Sequence, residues 1–219
     1  MKRAIVWFKT DLRLHDNEAL VRAIEQSDEI IPVYCLDEDH FKITPFGFQK
    51  TGNFRAQFLL ESLKDLDANL RLLGSGLIVV RGKPEIQIFA IAKEYGASKV
   101  FAKREVAYEE KQTEERVERE VWRLQCSFES FSTSTLYHAL DLPFSIKHIP
   151  DVFTNFRRQI ERDSSIRPIF AKPQKISSPP IPPSHLPTLE ELGMQSVTKD
   201  PRAVLHFKGG ENEAYKRRS

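Results

Sequence analysis

Five short apolar runs, rich in β-branched residues, recur along the chain at Arg3 to Phe8, Ile30 to Leu36, Leu77 to Arg81, Lys99 to Ala102 and Ser127 to Phe131. Longer segments between them return their apolar residues at helical spacing. A strand buried on both faces reads as a continuous apolar run, and consecutive parallel strands need a crossover long enough to hold a helix. The pattern therefore restricts the chain to a βαβ series: an α/β fold with a Rossmann-like five-stranded parallel sheet and helices on both faces. With 219 residues, 40% of them apolar and 10% aromatic, the chain can bury one such core with length to spare, and a second full domain is not expected.

Spacing predicts the helices. Leu59, Leu63, Leu66, Leu70 and Leu73 form one stripe over Asn53 to Leu73. Val117, Val121 and Leu124 do the same for the charged segment Tyr108 to Gln125, as do Ile88, Ala92 and Tyr95 for Pro84 to Tyr95, where Pro84 suits a first turn. Asp16 or Asn17 can cap a helix running to about Gln26.

Beyond Arg162 the character changes. Eight of the thirteen prolines lie there, several in Ser178-Pro179-Pro180-Ile181-Pro182-Pro183, which favours an extended segment laid over a surface. The expected organisation is an α/β domain over residues 1–130, a linker with one short helix over 131–205, and the opening of a further, truncated helical domain over 206–219, where Phe207-Lys208-Gly209-Gly210-Glu211 reads as a helix start.

Lys plus Arg (33) nearly balances Asp plus Glu (31), so net charge gives no argument for a polyanionic partner. Cys35 and Cys126, with no CxxC and no Cys/His cluster, read as reduced structural thiols, and no metal site is expected. Lys9 and Asp11 end the first apolar run short of a signal-peptide core, and no stretch reaches the roughly 18 apolar residues of a membrane span. A cytoplasmic monomer is expected.

Folds of this kind bind ligands beyond the carboxyl ends of their strands, which directs attention to the loops after strands one, two and four. Gly74-Ser75-Gly76 follows a helix and precedes a strand, the reverse of a phosphate-binding fingerprint, and reads as a helix cap and turn. Glu109-Glu110 and Glu114-Glu115 read as solvated pairs, and His15 with Asp16 as a structural hydrogen-bonding pair. No nucleophile stands beside a base, so no catalytic residue is assigned. Phe41, Phe46 and Phe48 lie in the otherwise polar loop from Asp39 to Gly52; they suit stacking on a flat chromophore or docking against another domain, and both readings stay open. Arg157, Arg158, Arg162, Arg167, Lys172 and Lys175 form a local basic excess that suits phosphates, or contacts with the linker and a further domain.

The loop after strand one, Lys9-Thr10-Asp11-Leu12-Arg13-Leu14-His15-Asp16-Asn17, follows Val6-Trp7-Phe8. Together they resemble the strand-one signature of the DNA photolyase and cryptochrome family, in which a DLR element leads into HDN. The resemblance continues through Lys50-Thr51-Gly52-Asn53-Phe54-Arg55, Gly82-Lys83-Pro84, Arg104-Glu105-Val106, Asp141-Leu142-Pro143-Phe144, Phe153-Thr154-Asn155-Phe156-Arg157 and Gly209-Gly210-Glu211, with several matches closest to the cryptochrome DASH branch. It implies a domain that holds an antenna chromophore, commonly methenyltetrahydrofolate or a deazaflavin. Such a domain passes excitation to FAD in a helical domain, where light-driven electron donation repairs cyclobutane pyrimidine dimers in DNA. It also implies that Glu105 stands where folate-binding members carry a glutamate beside the pterin ring; a carboxylate can accept two parallel N–H bonds from such a ring. An ion pair of Glu105 with Arg104 or Lys103 is the plain alternative. No repair residue is visible, so the chain alone is expected to be inactive. A blue-light photoreceptor without repair, or a stand-alone nucleotide-binding α/β module, are the other readings.

Overall fold

A computed structural model describes residues 1–197, 202 and 207–218. The five runs form one parallel sheet of β1 (Arg3–Phe8), β2 (Glu29–Leu36), β3 (Ile78–Arg81), β4 (Lys99–Lys103) and β5 (Ser127–Phe131), in the order β3-β2-β1-β4-β5. The crossovers are α1 (Glu18–Gln26), α2 (Asn53–Leu72), α3 (Pro84–Tyr95) and α4 (Tyr108–Trp122).

The alternation of side chains along central β1 shows why both faces must be covered. Ala4, Val6 and Phe8 enter a core with Leu20 of α1 and Leu63, Leu66 and Leu70 of α2. Ile5 and Trp7 enter a second core with Ile88 and Ile91 of α3 and Val117 and Val121 of α4. Each of the larger aliphatic and phenylalanine side chains contributes roughly 1.5–3 kcal/mol by leaving water, which favours this arrangement over any that exposes one face.

Local chemistry sets the ends of the helices. Asn17, not Asp16, caps α1, its Oδ1 accepting from Leu20 N at 3.0 Å. Pro84 opens α3 and Gly96, at φ +63°, closes it. Gly74 (φ +90°) ends α2, and Ser75 N returns to Leu70 O at 3.0 Å, so the GxG is a helix terminator, as its order predicts. Cys35 and Cys126 are free and buried, and burial pushes the Cys126 thiol up to about 11.

After β5 come α5 (Phe153–Asp163) and a proline-rich stretch without regular structure that returns across the α/β unit. Ile176 is buried and its N–H donates to Leu73 O at 2.9 Å. Ser184 Oγ accepts from Val79 N at 3.0 Å and donates to Leu77 O at 2.9 Å, occupying the free edge of β3 that would otherwise be open to pairing. The expected boundary at residues 205 and 206 lies outside the described residues. A last helix, α6 (Glu211–Arg218), packs against α2. Among the described residues no helix is long and apolar enough to cross a membrane, and no group of three or more side chains could hold a metal.

Candidate functional site

The chain runs outward from β1 to β3 and then returns to β4 on the other side of β1. The loops leaving β1 and β4 therefore part in opposite directions, and a crevice opens at the carboxyl ends of these two strands. Here it is a cleft of about 1300 Å³ whose walls include Trp7, Thr10, Tyr34, Glu105, Tyr108 and Tyr215.

The floor is a network of charges joining the two strand ends. Lys9 Nζ donates to Glu114 Oε1 at 2.6 Å, and the Glu105 backbone N–H donates to the same oxygen at 2.8 Å. Thr10 Oγ1 donates to Glu105 Oε1 at 2.6 Å, Lys103 Nζ donates to Thr10 Oγ1 at 2.7 Å, and Lys103 Nζ lies 3.7 Å from Glu105 Oε1. The expected pairing of Glu105 with Lys103 is thus present, but as one edge of a wider network. Arg104 instead donates to Ser130 Oγ at 3.0 Å. Glu105 is held by one oxygen, with its side chain 13% exposed. Its Oε2 accepts no hydrogen bond from the described residues, and a carboxylate has about four lone-pair sites. The residues therefore fit a flat ring that offers two parallel N–H donors. Glu105 also borders a smaller depression of about 380 Å³ between α4 and β5, which Glu114 lines as well.

The structure corrects the reading of Glu114 as solvated. It is 8% exposed and forms the centre of the network. Its spacing from Val117 and Val121, three and seven residues, places it on the buried stripe of α4, a signal obscured by the run of charges around it. Glu109, on the same helix, pairs with Lys50 and ties the loop before α2 to the rim of the cleft.

Asp11 is a buried carboxyl beside this floor. Lys9 N donates to its Oδ1 at 3.0 Å and Asn17 Nδ2 approaches Oδ2 at 3.3 Å. Burial raises its pKa above 3.8, outweighing the opposing pull of the Lys9 backbone N–H. The folded chain thus holds this proton more tightly than the unfolded chain, so Asp11 contributes most below pH 3.8 and that contribution is lost as pH rises through the folded pKa. Relative to Asp11→Asn, the wild-type chain is expected to lose stability between pH 4 and pH 7, as read by urea unfolding at the two pH values; equal losses would contradict the assignment.

Phe46 and Phe48 sit on a hairpin. Ile43 and Gln49 pair across it, Gly47 N donates to Thr44 O at 3.0 Å, and Gly47 takes φ +83°, a left-handed position that closes a three-residue loop. The two rings stack at 6.1 Å and are 84% and 60% exposed at the cleft mouth. Phe41 differs: it is half-buried and packs on the core. His15 and Asp16 do not behave as a pair. Asp16 Oδ2 meets Arg13 at 3.3 Å and its Oδ1 accepts from Phe170 N at 3.2 Å, while His15 lies edge-on to Tyr215.

In the basic stretch, Arg162 is paired with Asp163, and Arg167 Nη2 donates to Asp141 Oδ1 at 2.9 Å, so part of the charge excess is neutralised internally. Tyr108, Glu211 and Tyr215 line the cleft, and the sequence alone assigns none of them a ligand-binding role. Tyr108, three residues past Glu105 at the start of α4, could have been found from its position after a strand end.

Fold and site together define a doubly wound α/β domain with an open crevice at its strand-order switch point. The chain belongs to the DNA photolyase family, whose family model matches residues 4–180. It is 44% identical over 219 residues to cryptochrome DASH of Gloeobacter violaceus, covering 99% of this chain and 43% of that protein. The solved structure of the Synechocystis cryptochrome superposes with a TM-score of 0.92 at 39% identity, over 99% of this chain and 45% of that one. A bacterial class III photolyase from Agrobacterium tumefaciens gives a TM-score of 0.73 at 25% identity, over 91% of this chain and 40% of that one. The chain thus spans under half the length of these relatives.

Proposed function

We propose that this chain is an antenna-chromophore-binding domain of a cryptochrome DASH type protein, which passes excitation to FAD in a helical domain for light-driven repair of cyclobutane pyrimidine dimers in DNA. The observation that carries the reading is Glu105: a carboxylate anchored by Thr10 and Lys103 at one oxygen, with the other left for a ligand, at the switch-point cleft. A pterin such as methenyltetrahydrofolate would supply near-ultraviolet absorption there. The chain's own residues orient it: Glu105 accepts the ring's N–H groups, Thr10 and Lys103 hold that carboxylate in place, and Phe46 and Phe48 offer ring faces at the mouth. The same exposed rings suit contact with the helical domain.

Photochemistry at FAD would lie in the helical domain, so this chain alone is proposed to have no repair activity. In a protein that joins this chain to a flavin-binding domain, Glu105→Gln is expected to remove near-ultraviolet antenna absorbance while FAD is retained. Unchanged antenna content would overturn the role of Glu105. A blue-light photoreceptor without repair is the second reading, favoured by the cryptochrome names of the relatives at 44% and 39% identity. A lesion-repair assay on the joined protein discriminates the two.

A further inference from the structure

The turn after β1 forms part of the cleft wall, yet groups from distant parts of the chain hold it in place. Glu211, at the start of α6, accepts from Leu14 N with Oε2 and from His15 N with Oε1, each at 3.0 Å. One carboxylate thus satisfies two successive backbone N–H groups across 197 and 196 residues of chain. Leu14 is fully buried, so its N–H has little recourse to water if this partner leaves. The same turn carries Asp16 at φ +50° and has further ties that leave the Leu14 and His15 N–H groups untouched: the Arg13 guanidinium donates to His15 O at 3.0 Å and Asp16 O at 2.9 Å, Asn17 Nδ2 donates to Arg13 O at 3.0 Å, and Asp16 N donates to Phe170 O at 2.8 Å.

The arrival of α6 is closely fitted. Gly209 N donates to Glu61 Oε2 at 2.7 Å, and a Cβ at Gly209 would lie 2.1 Å from Phe58 O, which is backbone and cannot move aside. Asn212 Nδ2 donates to Asp65 Oδ1 at 2.7 Å and to Asn69 Oδ1 at 3.1 Å. Glu211, Ala214 and Tyr215 of α6 themselves face the cleft. The helix that delivers the carboxylate therefore also builds the wall.

We infer that Glu211 is a positioning residue for the cleft: it fastens the β1 turn only when α6 is docked, so docking of α6 and occupancy of the cleft favour one another. A ligand that needs the turn ordered binds the docked state more tightly, and by reciprocity it stabilises docking by the same factor. The coupling rests on the cleft being the chromophore pocket; the fastening does not.

Amide hydrogen exchange on the full chain tests the fastening without ligand. Glu211→Ala is expected to speed exchange at Leu14 and His15 by about tenfold or more, the loss of charge-assisted hydrogen bonds, with Ile5 to Trp7 unchanged. Glu211→Gln, which keeps one acceptor oxygen, is expected to fall between. Gly209→Ala should speed the same two amides with Glu211 intact. Unchanged exchange at both amides in Glu211→Ala and Gly209→Ala overturns the inference.

Titration with methenyltetrahydrofolate tests the coupling, with an affinity in Glu211→Ala about tenfold weaker expected. Equal affinity in wild type and variant, with exchange accelerated, overturns the coupling. No binding by the wild-type chain counts against the cleft as a folate pocket, and the exchange result then decides the inference alone: acceleration supports it, and unchanged rates overturn it.

Discussion

Phe101→Ala is expected to lower the unfolding free energy by about 3–5 kcal/mol, the range for emptying a buried aromatic site. Phe101 is fully buried in β4, paired with Val6 of β1 on one side and Glu129 of β5 on the other. Its ring lies parallel to that of Phe131 at 6.2 Å. The cavity would open in the core that Phe101 shares with Val6 and Phe8, in the strand that carries Lys103 and leads to Glu105, so looser chromophore binding is expected alongside the stability loss. Urea unfolding followed by circular dichroism measures the first effect; a change below about 1 kcal/mol would mean that the sheet does not bury this ring as described.

Lys9→Met is expected to cost about 2–4 kcal/mol, somewhat less than the 3–5 typical of breaking a fully buried pair. The discount follows from the partial exposure of the partners, whose side chains are 12% and 11% accessible. Met keeps the apolar stem but removes the ammonium, leaving the Glu114 carboxylate with the Glu105 N–H as its remaining donor. It also removes the charge 4.8 Å above the Trp7 ring. If the penalty comes from an uncompensated charge, adding Glu114→Gln should recover part of it, because the amide oxygen can still accept from Glu105 N. A single-variant cost under about 0.5 kcal/mol would show the pair to be solvated.

These two positions also show what a sequence reading can reach. The strand holding Phe101 is legible because a both-faces-buried strand must be apolar throughout, and α2 because its leucines return every three or four residues. The Lys9–Glu114 pair is not legible in that way. Lys9 ends an apolar run and Glu114 sits among eight other charged residues of α4, so each looks like a solvent-facing charge. Only the crossing of β1 and α4 in space brings them together. Glu105 was accessible through the family resemblance and its place after a strand, but its anchoring by Thr10 depends on the switch-point geometry. The loop phenylalanines divided by packing: Phe41 found the core, while Phe46 and Phe48 were carried outward on the hairpin. The contact of Glu211 with the β1 turn left the weakest trace of all. Its partners are backbone N–H groups, which every residue except proline carries, so no side-chain pattern marks them.

The same logic explains why the cleft survives in an otherwise densely packed unit. Lys9, Thr10 and Glu105 make its floor polar, so collapse of apolar side chains onto it would take these groups out of water and leave Glu105 Oε2 without a partner. Stability and site are therefore joined at the ends of β1 and β4.

The most direct measurement is the absorption spectrum of the purified chain after methenyltetrahydrofolate is added and the sample is desalted. The account predicts near-ultraviolet absorbance that stays with the protein and is lost in Glu105→Gln at unchanged fold. A colourless wild-type chain, or absorbance that Glu105→Gln retains in full, would contradict it.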